Sequence, residues 1–346
     1  MKTDLFDYAL PERSIAVRPL PRRDDARLLV LAGSELLHRA MRDLPELVPE
    51  GALVVLNDTR VRNARLLLQK AGTGGKVELL LLRRLAVSAE GERWQALGRA
   101  NKALREGTLL EAPGLVARIA KQGDPLEVLL RAPEGVDAWL ERAGHVPIPP
   151  YLGRSDEPFD RERYQTVFAQ KIGSVAAPTA GLHLTDELIS RLRGRNVTLA
   201  TLTLEIGLGT FRPIEAEDLD QHPMHGETIE VSPALAASIA AARERSAPVV
   251  AIGTTVVRAL ESAADPERSG HVRPFSGETR LLIQPGYEFR VVDALLTNFH
   301  QPRSTLLALV CAFVGRERAL AAYGVAVNEQ YRFLSYGDAM WLPGRA

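Results

Sequence analysis

The pattern of apolar residues changes twice along this chain, and this change constrains the fold more than any other feature. Between residues 63 and 145, short apolar runs alternate with Gly, Pro and polar turns, as in KVELLLLRRL, RWQALGRA, TLLEA, LVARIAK and LEVLLRA. A spacing of roughly 8 to 12 residues between such turns is typical of a small antiparallel barrel or sandwich. We therefore predict a β-barrel domain at residues 63–145.

The flanking segments have a different pattern, in which apolar strands are followed by helical periodicity. This pattern is typical of an α/β domain. We predict one discontinuous α/β domain, residues 1–62 plus 146–346, which carries the active site and into which the small antiparallel barrel is inserted. The proline-rich segment GHVPIPPYLGR would return the chain from the barrel.

Length and composition agree with a two-domain globular protein. The chain has 346 residues, 46% hydrophobic and 25% charged, which is enough to bury a full core. The longest apolar run, residues 306–314, is shorter than the roughly 20 residues that span a bilayer, and the first residues lack the pattern of an export signal. The single cysteine, Cys311, excludes an internal disulfide framework and is expected to be buried. These features predict a cytoplasmic protein.

The charge is distributed unevenly, although the formal net charge is zero. Residues 60–105 contain eleven basic and three acidic residues, a net charge of +8, so the remainder carries −8. A basic segment of this kind favours a polyanion, because phosphate contacts supply most of the sequence-independent affinity for nucleic acid. The alternative is that these charged side chains are solvated on the faces of strands and bind no ligand.

Two segments of the α/β part can be aligned without gaps. Val54–Arg62 of GALVVLNDTRVR lies over Val250–Arg258 of APVVAIGTTVVR. Each has an apolar strand and a sharp polar turn, after which Thr59 or Thr255 opens a segment that carries an arginine. The match indicates an internal duplication, although nine aligned positions also allow chance similarity between two buried strand and turn units.

Two further strands end in polar loops. In VVDALLTNFHQPRSTLLALV a β-rich run leads to Asn298 and His300, and Ser304 is placed to cap the helix that follows. In VTLATLTLEIGLGTF a strand runs into the glycine-rich turn 207–209. Ligands of open α/β sheets bind beyond the carboxyl ends of the strands, so we expect the site where these loops meet.

A histidine precedes a predicted helix in AAPTAGLHLTDE. Thr185 is a good N-cap, and the two acidic residues after it favour the positive end of a helix dipole. Gly181 permits close approach of the backbone to a ligand, and His183 can move a proton near neutral pH. The alternative is a loop histidine that is hydrogen-bonded to a neighbouring carbonyl.

Metal, nucleotide and serine-hydrolase chemistry receive little support. HPMHGETIEV places His222 and His225 three residues apart, which is not the HExxH pattern of a zinc site. A metal site would have to draw on the side chains of His183, Glu205, His222, His225, Glu227 and His300. The GLG of the turn is only half of a dinucleotide fingerprint, and no GxxxxGK[ST] loop or GxSxG elbow occurs.

Taken together, the motifs resemble those of the S-adenosylmethionine:tRNA ribosyltransferase-isomerase family, the epoxyqueuosine-forming enzymes of queuosine biosynthesis. The resemblance runs from about Phe6 to Leu342 and rests on FDYALPERSIAVRPLPRRDDARLL, VVLNDTRVRNARL, GGKVELLLL, GHVPIPPY, YQTVFA, AAPTAGLHL, GLGTFRPI, HPMHGE, VVAIGTTVVRALES, VVDALLTNFHQPRSTLLALV and YRFLSYGDAM. One position departs from the pattern: where the family usually has histidine in TLHVGxGTF, this chain has Glu205. A general-base role for a histidine there is not transferable.

The resemblance implies a monomeric α/β protein with an inserted β-barrel. It also implies transfer and isomerisation of the ribosyl part of S-adenosylmethionine onto 7-aminomethyl-7-deazaguanine at the wobble position of a tRNA. Adenine and methionine would be released, and an epoxycyclopentanediol would be left on the base. S-adenosylmethionine would be the ribosyl donor, and no metal is expected.

This chemistry suggests acid and base roles for the candidate residues. The sulfonium acidifies the hydrogen on C5′ of the donor, so a base must approach that carbon. The candidates are, in order, His183, Glu205 and the substrate amine. His300 or Asp338 would be the acid near the departing adenine.

Substrate-binding roles fall on the loops. The methionine carboxylate needs a donor pair, which Arg258 or Arg62 at a helix start would supply. Thr255 and Thr59 would be their hydroxyl partners. Other residues predicted to contact the substrates are Asn57, Asp58, Arg60, Thr179, Gly181, Gly207, Gly209, Asn298 and Tyr336.

The tRNA would contact both domains. An exposed wobble base needs an aromatic face, for which Tyr336, Phe299 and Phe211 are candidates, although each is equally a candidate for the core. The basic half of the barrel would grip the anticodon arm through phosphates. Two rival functions stay open here: a hydrolase with a metal bound by the histidines, and a non-catalytic RNA-binding protein. A small-molecule methyltransferase is disfavoured because VVLNDTR contains no glycine-rich loop.

Overall fold

The computed structural model describes residues 1–207, 214 and 216–345. The described strands are β1 Arg27–Ala32, β2 Glu35–Ala40, β3 Leu53–Asn57, β4 Thr59–Val61, β5 Arg65–Lys70, β6 Lys76–Ser88, β7 Gly91–Ala100, β8 Leu109–Ala112, β9 Leu115–Lys121, β10 Leu126–Arg131, β11 Lys171–Ser174, β12 Thr198–Leu204, β13 Glu227–Val231, β14 Val249–Ile252, β15 Phe275–Thr279, β16 Ala294–Asn298 and β17 Ala339–Leu342. The described helices are α1 Leu44–Leu47, α2 Val136–Ala143, α3 Asp160–Arg163, α4 Asp186–Gly194, α5 Pro233–Glu244, α6 Thr254–Ser262, α7 Thr305–Val314 and α8 Arg316–Asn328.

A nine-stranded sheet organises the larger part of the molecule, in the order β15-β13-β12-β3-β14-β16-β17-β1-β2. Its central strands β12, β3, β14 and β16 are parallel neighbours, whereas β13, β15, β17 and β2 each form antiparallel pairs. A parallel centre places the carboxyl ends of four strands along one edge of the sheet. The predicted α/β class is confirmed.

Helices cover both faces of this sheet. Leu53 and Val55 of β3 belong to the core under α5 to α8, whereas Val54 and Leu56 belong to the core under α1 and α4. The alternation follows from the two-residue period of a strand. All four side chains are buried, so β3 lies in the middle of three packed layers.

Six antiparallel strands close into a barrel in the order β10-β7-β6-β5-β8-β9, with β9 paired to β10. Leu66 and Leu68 alternate inward along β5, and Trp94 of β7 is fully buried in the barrel core. Helix α2 packs on the barrel through Trp139, whose indole N–H donates to the carbonyl of Pro113 at 2.9 Å. The predicted inserted antiparallel barrel is confirmed. Strand β5 and helix α2 also belong to it, although they are not among the five apolar runs that predict it.

Helix starts agree with the predicted caps. Thr185 accepts the N–H of Leu188 at 3.1 Å, and Ser304 accepts the N–H of Leu307 at 3.2 Å. Cys311 is buried in α7 as predicted, and burial raises the pKa of its thiol to about 12. Among the described residues, the helices are all too short or too polar to cross a membrane.

The two aligned segments are neighbouring parallel strands in the register of the alignment. We name them the β3 unit, Val54–Arg62, and the β14 unit, Val250–Arg258. Val54 pairs with Val250, and Val55 pairs with Ala251. The sequence match therefore corresponds to a local structural match up to the end of each strand.

Beyond the strands the two units diverge, and the expectation that Arg62 lies at a helix start is wrong. After β3 the Oδ1 of Asn57 accepts the N–H of Thr59 at 3.2 Å, and the chain continues as β4, which pairs with β11. After β14, Gly253 has φ 98° and the chain enters α6. Such a φ favours glycine, because other residues clash there. Arg62 therefore follows a strand that leads to the barrel, whereas Arg258 lies in a helix.

Candidate active site at the ends of the parallel strands

A pocket opens at the carboxyl ends of β14 and β16. We name it the strand-end pocket, and its lining consists of Tyr151, Ile206, Ser304, Leu306 and residues 176–180, 253–255, 297–301 and 334–335. It contains about 710 Å³ of empty space that is open to solvent. The loops that the sequence predicts to converge do meet here, and they bring together Thr179, Thr255, Asn298 and His300.

Two helices begin at the strand-end pocket. Helix α6 starts at Thr254, and α7 starts after its cap, Ser304. The first amides of a helix have no intrahelical partner and lie at the positive end of the helix dipole. Thr254 and Thr255 therefore offer amide and hydroxyl donors at the pocket, which suits an anionic group, whereas the N–H of Gly253 donates to the carbonyl of Leu296 at 2.8 Å.

His300 is a buried and oriented imidazole in this pocket. It is 7% exposed, and burial lowers the pKa of the imidazole to about 3. Its Nε2 lies 2.8 Å from Oγ1 of Thr297, and its backbone N–H donates to the hydroxyl of Tyr323 at 3.0 Å. At neutral pH the ring is uncharged, so it can form hydrogen bonds with a substrate but is a weak base.

His183 lines a smaller neighbouring pocket instead of the strand-end pocket. Burial lowers the pKa of its imidazole to about 4, although the side chain of Asn298 acts in the opposite direction. Asn298 lines the strand-end pocket, where its Nδ2 donates to the carbonyl of Leu334 at 2.9 Å. Among the described residues, Nε2 of His183 and Oδ1 of Asn298 are buried without hydrogen-bond partners. Asn298 therefore links His183 to the strand-end pocket.

The loop before α4 contains two predicted residues with different positions. Thr179 lines the strand-end pocket. Gly181 does not, and a Cβ added there would lie 2.8 Å from the ring of Phe168. Gly181 therefore permits close packing inside the protein, not the predicted approach to a ligand.

The polar residues of the β3 unit are part of the scaffold. Asn57 bonds to both the carbonyl and the N–H of Leu204 at 3.0 Å. Asp58 accepts from a threonine hydroxyl of β12 at 2.7 Å, and Oγ1 of Thr59 lies 2.6 Å from a serine hydroxyl of β11. All three are buried outside the lining of the strand-end pocket. Nδ2 of Asn57 also donates to Oγ1 of Thr255 at 3.4 Å, so Asn57 contacts a residue that lines the pocket. The substrate contacts expected for all three residues stay predictions.

Asp338 also lies outside the strand-end pocket. Its carboxylate is 1% exposed and accepts the backbone N–H groups of Arg27 and Arg332 at 2.8 Å each. Burial raises the pKa of this carboxyl, and the hydrogen bonds from the two backbone amides lower it. This position gives Asp338 a structural contact where the sequence suggested an acid near adenine.

The arginines expected to clamp a carboxylate are already paired. Arg258 forms a buried ion pair with Glu227. Nε of Arg62 lies 3.3 Å from a carboxylate oxygen of Asp137, and Arg60 pairs with a glutamate of α2 at 3.0 Å. Nη2 of Arg258 is buried and has no hydrogen-bond partner among the described residues, but Arg258 lines the barrel cleft and not the strand-end pocket.

A second and larger cavity lies between the barrel and the sheet. We name it the barrel cleft, and its main lining is residues 82–83, 124–125, 205–207, 224–228 and 305–306, with Gln95, Leu97, Gly173, Val175, His222, Arg258, Glu278 and Arg280. It contains about 1610 Å³ of empty space. Ile206 and Leu306 line both cavities, so the strand-end pocket and the barrel cleft are continuous.

Glu205 lines the barrel cleft and directly precedes Ile206, which lines both cavities. A Cβ added at Gly173 would be 2.5 Å from Oε1 of Glu205, so the glycine makes room for the carboxylate. Burial raises the pKa of this half-buried carboxyl, while the charges of Arg62 and Arg83 lower it. A carboxylate with a raised pKa is a better proton acceptor than an ordinary one. Gly207 also lines the cleft, whereas Gly209 lies outside the described residues.

The structure does not bring together the histidines of the metal alternative. His222 and His225 line the barrel cleft, whereas His300 lines the strand-end pocket and His183 lines its smaller neighbour. Within residues 1–207, 214 and 216–345, no three His, Cys, Asp or Glu side chains are grouped to hold a metal. Their positions give no support to joint ligation.

Tyr151 is a site residue that sequence reasoning missed. It is half-buried in the strand-end pocket, and its hydroxyl lies 2.5 Å from Oγ of Ser335. Of the predicted aromatic platforms, Phe299 is fully buried, Tyr336 is buried and donates to an aspartate at 2.7 Å, and Phe211 lies outside the described residues. The available signal was an aromatic residue directly after the prolines of VPIPPY, which restrict its backbone.

The basic residues of the barrel are only partly available to a ligand. Arg65, Arg84 and Arg93 each lie within ion-pair distance of a carboxylate of the same protein. Seven exposed basic residues of the barrel form no ion pair among the described residues: Lys76, Arg83, Arg99, Lys102, Arg105, Arg118 and Arg131. Arg83 lines the barrel cleft, so part of this charge borders the cavity that leads to the strand-end pocket.

Comparisons with known proteins agree with this architecture. A family model described as queuosine biosynthesis protein matches residues 3–342. A protein of Sorangium cellulosum named S-adenosylmethionine:tRNA ribosyltransferase-isomerase is 55% identical over 370 residues and aligns over 99% of both chains. A protein of the same name from Anaeromyxobacter dehalogenans is 53% identical over 347 residues, again over 99% of both. The crystal structure of an S-adenosylmethionine tRNA ribosyltransferase from Thermotoga maritima matches with TM-score 0.55 and 34% identity over 97% of this chain and 99% of that one.

Proposed function

The chain belongs to the queuosine biosynthesis protein family, and we propose that it is an S-adenosylmethionine:tRNA ribosyltransferase-isomerase. The reaction transfers and isomerises the ribosyl moiety of S-adenosylmethionine onto 7-aminomethyl-7-deazaguanine at the wobble position of tRNA. The products are epoxyqueuosine-tRNA, adenine and methionine. The observation that carries the assignment of the site is the continuity of the strand-end pocket with the barrel cleft, because a donor pocket must open towards the RNA.

We place S-adenosylmethionine in the strand-end pocket, with its methionine carboxylate at the start of α6. The amides and hydroxyls of Thr254 and Thr255 supply donors there, and the helix dipole favours the negative charge. This placement replaces the arginine clamp suggested by the sequence, because Arg258 and Arg62 are paired within the protein.

We assign the proton acceptor to Glu205 in preference to His183. The C5′ hydrogen beside a sulfonium is acidic, and its removal starts the isomerisation. Glu205 has a pKa raised by burial and lines the barrel cleft next to Ile206, which lines both the donor pocket and the cleft. Burial instead lowers the pKa of the His183 imidazole to about 4, so this ring is a weaker base. His183 also lines a different pocket.

The adenine side of the donor is assigned to His300, Asn298 and Tyr151. A neutral imidazole and an amide recognise the polar edge of a purine by hydrogen bonds, and the half-buried ring of Tyr151 offers a face for stacking. His300 is uncharged at neutral pH, so we expect it to stabilise the departing adenine by a hydrogen bond and not by full proton transfer.

We assign the tRNA contact to the barrel and the barrel cleft. Seven exposed basic residues of the barrel form no ion pair among the described residues, and one of them, Arg83, lines the cleft. Phosphate contacts of such residues weaken steeply with salt. In this assignment residues 63–145 act as the RNA-binding domain, and residues 1–62 plus 146–346 carry the chemistry.

The remaining parts of the proposal concern metal, assembly and compartment. Every acid, base and binding role above is filled by side chains of one chain, so we propose that the reaction needs no metal and that a monomer forms the complete site. A tRNA substrate agrees with a cytoplasmic enzyme.

The proposal is tested by chromatography of adenine. The purified protein is mixed with S-adenosylmethionine and tRNA that carries 7-aminomethyl-7-deazaguanine, and guanine-bearing tRNA is the control. Adenine released only with the modified tRNA supports the assigned reaction. If a folded, tRNA-binding protein releases no adenine, it is a non-catalytic RNA-binding protein; if chelator abolishes adenine release, a metal takes part.

A further inference from the structure

A small pocket beside the strand-end pocket is rich in arginine. We name it the arginine pocket, and its polar lining is Arg22, Arg23, Arg163, His183, Ser335 and Tyr336. It contains about 300 Å³ of empty space, and Ser335 also lines the strand-end pocket. The arginine pocket therefore lies next to the proposed reaction centre, although no role above uses its arginines.

Two arginines of this pocket are held by hydrogen bonds to backbone carbonyls and not by carboxylates. Arg23 donates to two backbone carbonyls at 3.1 and 2.8 Å, and Arg163 donates to two others at 3.0 and 2.8 Å. Among the described residues neither forms an ion pair, whereas Arg22 pairs with Asp24 at 3.1 Å. Carbonyl groups orient a guanidinium but leave its full charge, so the pocket carries positive charge that the protein does not compensate.

Two carboxylates that border the lining are already engaged, whereas the carboxylate of Glu162 acts on Arg23 from beyond ion-pair distance. Asp160 accepts from Arg154 at 2.6 Å and from the hydroxyl of Tyr336 at 2.7 Å. Asp338 accepts two backbone N–H groups. Neither carboxylate is therefore free to turn into the arginine pocket without losing buried hydrogen bonds.

Nitrogen atoms around the pocket lack acceptors. Nε of Arg163 and Nε2 of His183, two atoms of lining residues, are buried and have no hydrogen-bond partner among the described residues. Buried polar atoms are nearly always paired, so such a group of unpaired atoms points to a missing acceptor. His183 is 5% exposed, lines the pocket and follows Leu182, whose carbonyl Arg23 holds.

We propose that the arginine pocket binds a backbone phosphate of the tRNA close to the wobble nucleotide. The forked guanidinium matches phosphate oxygens, which accept from Arg23, Arg163 and the unpaired nitrogens. The pocket adjoins the strand-end pocket through Ser335, so a phosphate held there fixes the modified nucleotide next to the donor. The arginine-rich segment VRPLPRRDDAR, which the reaction chemistry leaves unexplained, supplies Arg22 and Arg23.

This inference rests on the proposed function for its RNA ligand. The same oxyanion chemistry would fit the methionine carboxylate of S-adenosylmethionine, which we place instead at the start of α6. The two sources differ in what an arginine variant should weaken: tRNA binding in the first case and donor binding in the second.

The test measures tRNA binding across a series of salt concentrations for the wild type, Arg23→Gln and Arg163→Gln. Arg163→Lys is added because it keeps the charge if the glutamine variant folds poorly, and thermal unfolding reports folding for each. Arg243→Gln is the matched control, because Arg243 also donates to the carbonyl of Gly270 but forms an ion pair with Asp293. Steady-state adenine release gives KM for tRNA and for S-adenosylmethionine separately.

The expected result is a roughly tenfold loss of tRNA affinity in Arg23→Gln and Arg163→Gln, with the slope of log affinity against log salt reduced by about 0.7–1. KM for S-adenosylmethionine should stay within twofold, and Arg243→Gln should match the wild type in both. Unchanged tRNA affinity and slope, or a rise confined to KM for S-adenosylmethionine, overturns the phosphate assignment. The tRNA-binding measurement needs no turnover. It therefore tests the arginine pocket even if the wild type releases no adenine and the proposed reaction fails.

Discussion

The β3 unit and the β14 unit begin alike and end in different roles. Both are buried parallel strands that pair in the register of their alignment. After β3, Asn57 holds a turn whose polar side chains bond within the protein; after β14, Gly253 starts a helix whose threonines line the strand-end pocket. One asparagine or glycine at the strand end therefore decides whether a similar segment becomes scaffold or binding site.

The scaffold role is tested most strongly by Asn57→Ala. The substitution leaves the buried N–H and carbonyl of Leu204 and the N–H of Thr59 without their partner. An unsatisfied buried group costs roughly 1–3 kcal/mol, so we expect a loss of about 3–5 kcal/mol in the free energy of unfolding, measured with urea. Turnover per folded molecule should stay within a few-fold, because Asn57 contacts the strand-end pocket through one long hydrogen bond, 3.4 Å, to Oγ1 of Thr255. A loss in activity with full stability would place the β3 unit in the binding site.

The catalytic contrast is tested by Glu205→Gln and Asp58→Asn, a matched pair of acid-to-amide variants at the ends of neighbouring strands. Removing a general base typically costs 10²–10⁴-fold in rate, so Glu205→Gln should lower kcat by about 100-fold or more. It should not lower stability, because burial already disfavours the charged carboxylate. Asp58→Asn should keep most activity, since Asp58 bonds only within the scaffold.

The pH profile of the wild type sharpens the same assignment. Glu205 must be ionised to accept a proton, and burial raises the pKa of its carboxyl. We therefore expect kcat/KM to fall as pH decreases through a value above the ordinary carboxyl pKa of about 4.3. If the residual kcat/KM of Glu205→Gln still falls at low pH as in the wild type, another residue is the proton acceptor.

His300 lies just after β16, the strand that pairs with β14, and it gives a further test of the comparison. The folded pKa of its imidazole is about 3, whereas an unfolded histidine titrates near about 6.5. Between these values the unfolded chain binds the extra proton, so folding stability is lost as pH falls. His300→Asn should reduce the slope of stability against pH between about pH 6 and pH 4 by about 1.4 kcal/mol per pH unit.

The control for this slope is His271→Asn, which replaces a half-buried histidine outside both cavities whose ring contacts Arg268 and the carbonyl of Ser269. An unchanged slope in His300→Asn would show that the imidazole titrates normally, and its role as a neutral donor to adenine would fail.

Much of the fold could be predicted from the sequence, because it depends on local patterns. The turn spacing of residues 63–145 and the caps at Thr185 and Ser304 are properties of short segments, and both predictions are confirmed. The roles of Asn57 and Arg258 depend on partners such as Leu204 and Glu227 that lie far away in the chain. Such pairings decide which polar residues face a pocket, and no single segment contains them.

The most direct test of the contrast between the two units uses their aligned threonines. Isothermal titration measures the affinity of S-adenosylmethionine for the wild type, Thr255→Val and Thr59→Val, with thermal unfolding of each. Thr255 lines the strand-end pocket and its hydroxyl accepts a long hydrogen bond, 3.4 Å, from Nδ2 of Asn57. Thr255→Val should therefore weaken donor binding about five- to tenfold and lower the stability less than Thr59→Val does. Thr59 bonds to Ser174, so Thr59→Val should lose about 1–2 kcal/mol of stability and keep its affinity. Weakened donor binding in Thr59→Val with full affinity in Thr255→Val would contradict the assignment of the β14 unit as the binding site.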